Sequence, residues 1–316
     1  MSERKFLIPS YGPFAGMRVI TSGSLIAMPF AAAMLSDFGA EIIHIERPGV
    51  GDTLRMLGPF AEANGKKVGT AWAQNARNKL SLSLELNLKY PEVKELFYGL
   101  LKEADIFMEN MVWLDKLGIH DEDLLAVNPK LVIVHISGLG NAKFGGIPSV
   151  CNRASYDMIG QAFSGWLYLQ GYKDRDPVVA KPYMNDYVSA FAALFGTLAA
   201  YVHAQKTGQG QVVDIAQFEA MAQYMCGTYT SYTMSGVVTE RSGNASPAFQ
   251  PYDLFKSKDG ALVALGAFGI APKMSETPGN VWRGAPSLGQ DTDAVLKTIL
   301  GYDDAKIADL REKKLI

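Results

Sequence analysis

Asp186 is the acidic residue whose position points most directly to chemistry. It opens a segment of small and apolar residues in which no other charged residue occurs before His203. That composition predicts a buried helix with Asp186 in its first turn. Unpaired backbone N–H groups and the positive end of the helix dipole favour an ionised carboxylate there. Two interpretations stay open: a helix-capping aspartate, which by itself explains the position, or a carboxylate nucleophile.

The balance of charges limits the partners of this chain. Its 316 residues carry 30 Lys and Arg against 32 Asp and Glu, a net charge of −2. Nothing in this composition favours a nucleic acid as partner, so any anion site must be built locally from a few cations. The two cysteines, Cys151 and Cys226, lie far apart without metal-ligand spacing. We therefore predict neither a disulfide nor a metal site.

Alternating strand and helix signals predict the frame that positions Asp186. Apolar, β-branched runs predict strands, and longer segments with a proline start or a glycine stop predict helices. The expected strands are 17–22, 41–46, 80–84, 106–108 and 131–136, and the expected helices are 26–38 and 91–104. This alternation predicts an α/β fold with a doubly wound parallel sheet and helices on both faces.

The second half continues the pattern and then changes character. We expect a helix over 186–203, a strand over 211–215 and a helix over 218–229. A polar, loop-like segment follows at 239–251, and a hairpin is predicted over 252–265, with Asp259 and Gly260 as its turn. The tail, 291–310, has the pattern of an amphipathic helix broken at Gly301.

The first predicted strand lacks the motif of a dinucleotide-binding enzyme. Gly23-Ser24-Leu25-Ile26-Ala27-Met28 follows it, without the G-x-G-x-x-G that cradles a pyrophosphate. This argues against an NAD-dependent dehydrogenase on the same architecture. No P-loop motif occurs in the chain either.

The sequence also carries an expectation about compartment. The first residues are charged without an apolar run behind them, which predicts no signal peptide. We see no apolar stretch of about 18 residues, so no membrane span is expected. These observations predict a cytoplasmic protein.

A set of short motifs occurs in a fixed order along the chain. The motifs are GPFAGMRV (12–19), GAEIIHIERP (39–48), RNKLS (77–81), NPKLVI (128–133), RASYD (153–157), QAFSG (161–165), KTGQGQVVD (206–214) and WRGAP (282–286). Together they resemble the family III CoA-transferases of the CaiB/BaiF type. The resemblance covers essentially the whole chain and is closest to the bile-acid and carnitine branches.

The resemblance implies a function and a nucleophile. Members of the family move CoA from an acyl-CoA thioester to a free carboxylate through an aspartyl-CoA thioester, and the motif places that aspartate at Asp186. CoA and acyl-CoA are then substrates, with no tightly bound cofactor. The family fold combines a Rossmann-like large domain with a smaller domain, and two subunits interlock as a homodimer.

The motif positions also imply which residues contact CoA. Arg47 is expected on the phosphate or adenine side, and Arg153 and Tyr156 near the catalytic pocket. The implied CoA contacts are Arg47, Asn78, Lys79, Asn110, Lys116, Arg153 and Tyr156. For Lys79 and Lys116 a solvated surface charge explains the residue equally well. Relatives usually carry Arg at position 116, and Lys lacks the bidentate fork of that side chain.

One departure from the family concerns the small domain. The chain passes almost directly from Ile270 to Lys273, where relatives insert a whole small domain. The expected organisation is a large CoA-binding domain over 1–225, a linker with the remnant of a truncated small domain over 226–272, and a C-terminal segment over 273–316 that returns to the large domain.

Two further functions stay open at this level. The family includes α-methylacyl-CoA racemases, which pair a His with the aspartate; here Asn152, Arg153 and Ala154 precede Tyr156 instead. The four histidines of the chain lie in strand or helix contexts, which favours structural roles for most of them. A non-catalytic CoA-binding subunit of a heteromeric transferase is the other alternative, and the presence of Asp186 argues against it.

Overall fold

The structure is a computed structural model of the whole chain. It describes residues 4–266 apart from 64, 112, 152 and 247–250, together with residues 293, 297 and 303–312. Two compact units divide the chain, Met1–Gly243 and Asn244–Ile316, and each is described by itself.

The first unit is built on a parallel sheet of six strands. Its strands are β1 (Arg18–Ser22), β2 (Glu41–Glu46), β5 (Lys79–Ser83), β6 (Ile106–Glu109), β7 (Val132–Ser137) and β8 (Gln211–Ala216). A separate antiparallel pair, β3 (Phe60–Ala63) with β4 (Lys66–Gly69), was not predicted. The order in the sheet is β5-β2-β1-β6-β7-β8, which confirms the doubly wound topology.

The order of the strands creates a crevice. The chain runs outward from β1 through β2 to β5, returns to the other side of β1, and continues through β6 and β7 to β8. The loops after β1 and β6 therefore leave in opposite directions, which opens a crevice at the carboxyl edge of the sheet. Val19 of β1 lies between Ile42 of β2 and Ile106 of β6 at this switch point.

Helices cover both faces of the sheet. The helices of the first unit are α1 (Ala27–Asp37), α2 (Thr70–Asn75), α3 (Pro91–Lys102), α4 (Leu114–Leu117), α5 (Asp121–Val127), α6 (Pro148–Cys151), α7 (Asp157–Phe163), α8 (Trp166–Leu169), α9 (Met184–Thr207), α10 (Gln217–Ala222) and α11 (Thr228–Ser235).

Two hydrophobic cores lie on opposite faces of the sheet because strand side chains alternate. Val19 and Met108 belong to the core under α1 and α9, together with Ala190. Ile20 and Phe107, one residue away, belong to the core under α3 and α5. The small residues of α1 and α9 let both helices approach the sheet closely.

The helix α9 corrects one expectation. By length and composition it is apolar enough to cross a membrane, and 44% of its most apolar stretch is buried. A core helix meets the same criteria, and α9 packs against α1, β7 and β8. We therefore interpret it as a core helix, although the expectation that no segment reaches this length and apolar content is wrong.

The predicted helix over 218–229 is also wrong in part. It ends as α10 at Ala222, and α11 begins only at Thr228. Cys226 and Gly227 between them have positive φ angles of 44° and 78°. The left-handed backbone at these two residues breaks the helix in a way that the apolar pattern does not show.

The second unit contains a hairpin and a helix among its described residues. Strand β9 (Tyr252–Lys256) pairs antiparallel with β10 (Leu262–Gly266), and α12 spans Asp304–Glu312. The passage from residue 270 to 273 and the motif at 282–286 lie outside the described residues. The same holds for most of the segment 273–316.

Candidate active site

A cleft of about 960 Å³ opens at the carboxyl edge of the sheet. The loops after β1, β6, β7 and β8 form its sides, where parallel strands place their functional residues. Five residues named from the sequence line it: Arg47, Asn110, Arg153, Tyr156 and Asp186. The fold thus brings together side chains that are up to 139 positions apart between Arg47 and Asp186.

Asp186 does not cap its helix. The N-cap of α9 is Tyr183, which has a left-handed φ of 43° and makes no side-chain cap. Asp157, at the start of α7, takes that role: its Oδ1 accepts the N–H of Asn185 at 2.7 Å and of Asp186 at 3.4 Å. The interpretation of Asp186 as a capping aspartate is therefore wrong, because another carboxylate occupies the free N–H groups.

The Asp186 carboxylate instead faces the cleft. Its Oδ1 accepts a hydrogen bond of 2.6 Å from Nε2 of Gln217, the first residue of α10. Burial raises the pKa of Asp186 to about 6, the charge of Asp157 adds to this, and the hydrogen bond from Gln217 acts against it. The helix start does not lower this pKa as we expected, but at neutral pH the ionised form still predominates by about tenfold.

This pKa predicts a pH dependence for any reaction in which the Asp186 carboxylate attacks. The rate of a single turnover is expected to rise about tenfold per unit below pH 6, because only the ionised form is nucleophilic, and to level off above it. Rapid-quench measurements of covalent-adduct formation between pH 4.5 and 8 would test this. A midpoint near pH 4, the ordinary range for aspartate, would contradict the burial of the carboxylate.

The loop after β1 is held by side chains instead of a glycine-rich phosphate cradle. Asn110 Oδ1 accepts the N–H of Ser24 at 2.9 Å, and Asn110 Nδ2 donates to the Ser24 carbonyl at 2.8 Å. Asp52 accepts the N–H of Leu25, whose φ is +71°. A Cβ on Gly23 would lie 1.9 Å from Asn110 Oδ1, so only glycine permits this approach. Asn110 therefore shapes the cleft through the Ser24 backbone.

Three cations line the cleft, Arg47, Lys143 and Arg153, and Lys143 is paired with Glu122 at 3.0 Å. Arg47 follows β2 and is 70% exposed in its side chain, with Glu85 at 3.3 Å. Arg153 is also exposed, and Tyr156 is 65% exposed. Exposed guanidinium groups suit the binding of phosphate oxygens.

The remaining implied CoA contacts do not line the cleft. Asn78 donates to Asp37 at 3.2 Å, and Lys79 Nζ donates to the Pro29 carbonyl at 2.7 Å. Burial lowers the pKa of Lys79 to about 7, so this residue is a weak cation at neutral pH. Lys116 lies 4.6 Å above the ring of Trp113, which itself lines the cleft.

A buried charged network at the base of the cleft was missed by the sequence analysis. His135 in β7 contacts Glu109 Oε1 through Nδ1 at 2.6 Å and Asp121 Oδ1 through Nε2 at 2.9 Å. Asp157 and Gln217 were missed as well. No short motif links these residues, because each contact joins elements far apart in the sequence. Gln217 directly follows β8, and this position at the carboxyl end of a parallel strand is the one signal that could have indicated it.

The described residues contain no group of three His, Cys, Asp or Glu side chains arranged to hold a metal ion. Both cysteines are free thiols; Cys151 is half-buried at the cleft and Cys226 is exposed.

Comparisons with known proteins identify the family of this chain. The model of CoA-transferase family III matches residues 14–269, and this chain belongs to that family. Bile acid CoA-transferase BaiK of Clostridium scindens is 36% identical over 283 residues, which cover 89% of this chain and 59% of that protein. L-carnitine CoA-transferase of Proteus mirabilis is 37% identical over 259 residues, which cover 81% of this chain and 60% of that protein.

A solved structure supports the fold directly. A CaiB/BaiF family protein from Brucella suis superposes with a TM-score of 0.71 and 31% sequence identity, over 79% of this chain and 65% of that chain. The six-stranded parallel sheet is thus the sheet of the CaiB/BaiF fold. The chain spans about three fifths of the length of the two curated relatives named above.

Proposed function

We propose that this protein moves CoA from an acyl-CoA thioester to a free carboxylic acid, with Asp186 as the nucleophile. One observation carries the proposal: the Asp186 carboxylate faces a large cleft and is released from helix capping by Asp157. Among the described residues, it accepts one side-chain hydrogen bond, from Gln217. Relatives named as CoA-transferases support the same reaction class.

In the proposed reaction the carboxyl group of Asp186 first receives the donor acyl group, as a mixed anhydride, and then receives CoA, as a thioester. The Asp186 carboxylate attacks the thioester carbonyl, CoA leaves as thiolate, and a mixed anhydride forms. The thiolate attacks the Asp186 carbonyl and releases the donor acid, which leaves an aspartyl-CoA thioester. The acceptor carboxylate then attacks this thioester, and the returning thiolate takes the acceptor acyl group and restores Asp186. Each step is an acyl transfer that conserves the energy of the thioester.

The surroundings of Asp186 fit these steps. Gln217 Nε2 can hold one carboxylate oxygen, which orients the other toward the incoming carbonyl. Arg47 and Arg153 line the cleft with exposed guanidinium groups, which supports a role for both in binding the phosphates of CoA. We keep Asn110 as a residue that shapes the CoA site through Ser24. Asn78, Lys79 and Lys116 stay proposals for CoA contact, supported by their motif positions alone.

The covalent intermediate is the direct test. After incubation with acyl-CoA, hydroxylamine should convert Asp186 to a hydroxamate and borohydride should reduce it, since both attack a thioester or anhydride and not a free carboxylate. Peptide mass spectrometry distinguishes a modified Asp186 from the other carboxylates that line the cleft, Glu109, Asp115, Asp121 and Asp214. An unmodified Asp186 in a protein that turns over would overturn the proposal.

The two alternatives have less support. A racemase needs a base beside Asp186, whereas both nitrogens of His135 are held by carboxylates, and the relatives named above are transferases. The heteromeric arrangement has support from relatives, since two Chloroflexus aurantiacus proteins, each 33% identical, are named alpha subunits of a CoA-transferase. Transfer by the purified chain alone would decide against a non-catalytic role.

We further propose a cytoplasmic homodimer with a reduced small domain. The match to the family model ends at residue 269, and we assign the hairpin β9–β10 to the remnant of that domain. The interlocked arrangement of the family supports the dimer. Light scattering on the purified protein measures the subunit number, and a monomer that transfers CoA would contradict this assembly.

A further inference from the structure

One segment forms much of one wall of the cleft. Residues 110–120, of which the structure describes all but 112, lie between the end of β6 and the start of α5. Asn110, Met111, Trp113, Leu114 and Asp115 of this segment line the cleft, as do Leu117, Ile119 and His120. We call residues 110–120 the cleft wall. Within the cleft wall, the Leu117 carbonyl accepts a hydrogen bond of 2.8 Å from the N–H of Leu88, which lies outside the wall.

A single imidazole binds both ends of the cleft wall. Glu109 immediately precedes it and Asp121 immediately follows it, and both carboxylates contact His135 of β7, at 2.6 Å and 2.9 Å. All three residues are buried, with exposures of 2%, 9% and 4% for Glu109, Asp121 and His135. Since β7 is an inner strand of the sheet, His135 is a rigid anchor for two points of the chain.

The contacts continue from this anchor to the loop after β1. Glu109 Oε2 also accepts the N–H of Met111 at 2.5 Å, which fixes the first turn of the wall. Asn110, between them, holds both polar backbone groups of Ser24. A chain of hydrogen bonds therefore connects His135 with the cleft wall on one side of the crevice and with the loop after β1 on the other side.

The charges in this network favour a protonated imidazole. Burial opposes a charge on His135, but the hydrogen bonds with Asp121 and Glu109 raise its pKa to about 10. Burial raises the pKa of Glu109, whereas the His135 contact lowers that of Asp121. We therefore assign an imidazolium that donates one ring N–H to Asp121 and the other to Glu109. Asp214 of β8 and Lys143, which contacts Asp121 at 3.7 Å, complete the charged surroundings.

We propose that His135 is a positioning residue for CoA binding: by holding Glu109 and Asp121 together, it fixes the cleft wall in the geometry that receives the CoA portion of the substrate. This inference rests on the proposed function. In the described part of the chain, the His135 ring bonds to Glu109 and Asp121, whereas the Asp186 carboxylate bonds to Gln217. The chemistry at Asp186 is therefore expected not to depend on His135. Loss of His135 is expected to weaken binding of CoA and to leave the transfer step largely intact.

The test compares His135→Gln with Ile133→Val. Both side chains are buried in β7, but Ile133 belongs to the hydrophobic core under α3 and α5, so its truncation loosens packing without touching the network. We expect His135→Gln to raise the Kd for CoA, measured by calorimetry, and the KM for the acyl-CoA donor about tenfold. Its kcat should change less than about threefold, and Ile133→Val should change neither constant.

Hydrogen exchange supplies the structural part of the test. In His135→Gln the amides of the cleft wall should exchange faster than in the wild type, while those of β1 and β6 stay protected. Asp121→Asn provides a second variant if His135→Gln does not fold, because it weakens one end of the wall and leaves the Glu109 contact. It should show the same pattern, with a smaller rise in Kd.

The outcomes separate this inference from the proposed function. A wild type that neither binds nor transfers CoA would overturn the function. A wild type that transfers CoA, with variants whose Kd equals the wild-type value, would overturn the role of His135. The same conclusion follows if kcat falls and Kd does not change, since His135 would then act on the chemical step.

Discussion

Asp186→Asn should abolish CoA transfer while the protein still folds and binds CoA. The amide has nearly the shape of the carboxylate and keeps an oxygen to accept the hydrogen bond from Gln217, but it is not nucleophilic. Removing the nucleophile of a covalent mechanism lowers kcat by about 10⁴-fold or more. Steady-state turnover with the best donor and acceptor acid of the wild type measures this loss, and calorimetry should give a Kd for CoA within about threefold of the wild type.

The same substitution should raise the stability of the fold at neutral pH. The pKa of Asp186 in the folded protein is about 6, above its ordinary value near 4. Stability linked to this group is therefore full below pH 4 and is lost as the pH rises through 6, because the folded state disfavours the charge. Asn carries no charge at any of these pH values, so thermal unfolding at pH 7 should occur at a higher temperature in Asp186→Asn.

A matched control separates the two effects. Glu95 is an exposed carboxylate on α3 that is not among the residues lining the cleft. Glu95→Gln removes one negative charge as well, and it should change neither kcat nor the unfolding temperature at pH 7. A stable Asp186→Asn protein that retains more than about one hundredth of the wild-type kcat would rule out Asp186 as the nucleophile.

The parallel sheet was predictable from the sequence because buried parallel strands are continuously apolar and lie between helices. Every end of the six predicted strands lies within one residue of the observed end, and the strand predicted over 41–46 matches at both ends. Pro91 and Gly39 mark the start of α3 and the end of α1 by their intrinsic backbone preferences. No local signal determines the order of the strands. The sequence predicted only a doubly wound sheet, from general rules for alternating strands and helices.

The small elements around the cleft were not predictable in the same way. The short helices α4, α6 and α8, of four residues each, are too short to show a period of 3.6 residues. Their conformations depend on turns such as Trp113, where φ is +69°, and tertiary contacts stabilise them. A pattern of residue types carries little information about such positions.

The residues of the candidate site also fall into two groups: those that a local pattern identifies and those that only the assembled fold brings together. Asp186 could be named from its place at the start of a long apolar helix, and the resemblance to the family identified it as the nucleophile. Arg47 was named from its motif position after the second strand. Asn78 and Lys79 occupy a similar motif, yet their side chains bind Asp37 and the Pro29 carbonyl. His135 is one of four histidines in strand or helix contexts, which favours structural roles for most of them and singles out none. Its two carboxylate partners become visible only when β6, β7 and α5 are assembled.

Asp157→Ala should impair both the fold around Asp186 and the transfer reaction. The Asp157 carboxylate binds the N–H groups of Asn185 and Asp186 and accepts the amide of Gln161 at 2.7 Å. Loss of a helix cap costs about 1–2 kcal/mol of stability, which urea unfolding measures. The first turn of α9 would then no longer be fixed, and a nucleophile misplaced by about 1 Å lowers kcat by roughly 10²-fold.

Asp157→Asn is the variant that distinguishes capping from charge. The amide oxygen can still accept the N–H of Asn185, so most of the stability and of the wild-type kcat should be kept. The negative charge is lost, however, and that charge raises the pKa of Asp186. The midpoint of the pH–rate profile should therefore move below pH 6 in Asp157→Asn, toward the ordinary aspartate range. An unchanged midpoint together with an unchanged kcat in Asp157→Ala would show that Asp157 neither positions Asp186 nor sets its pKa.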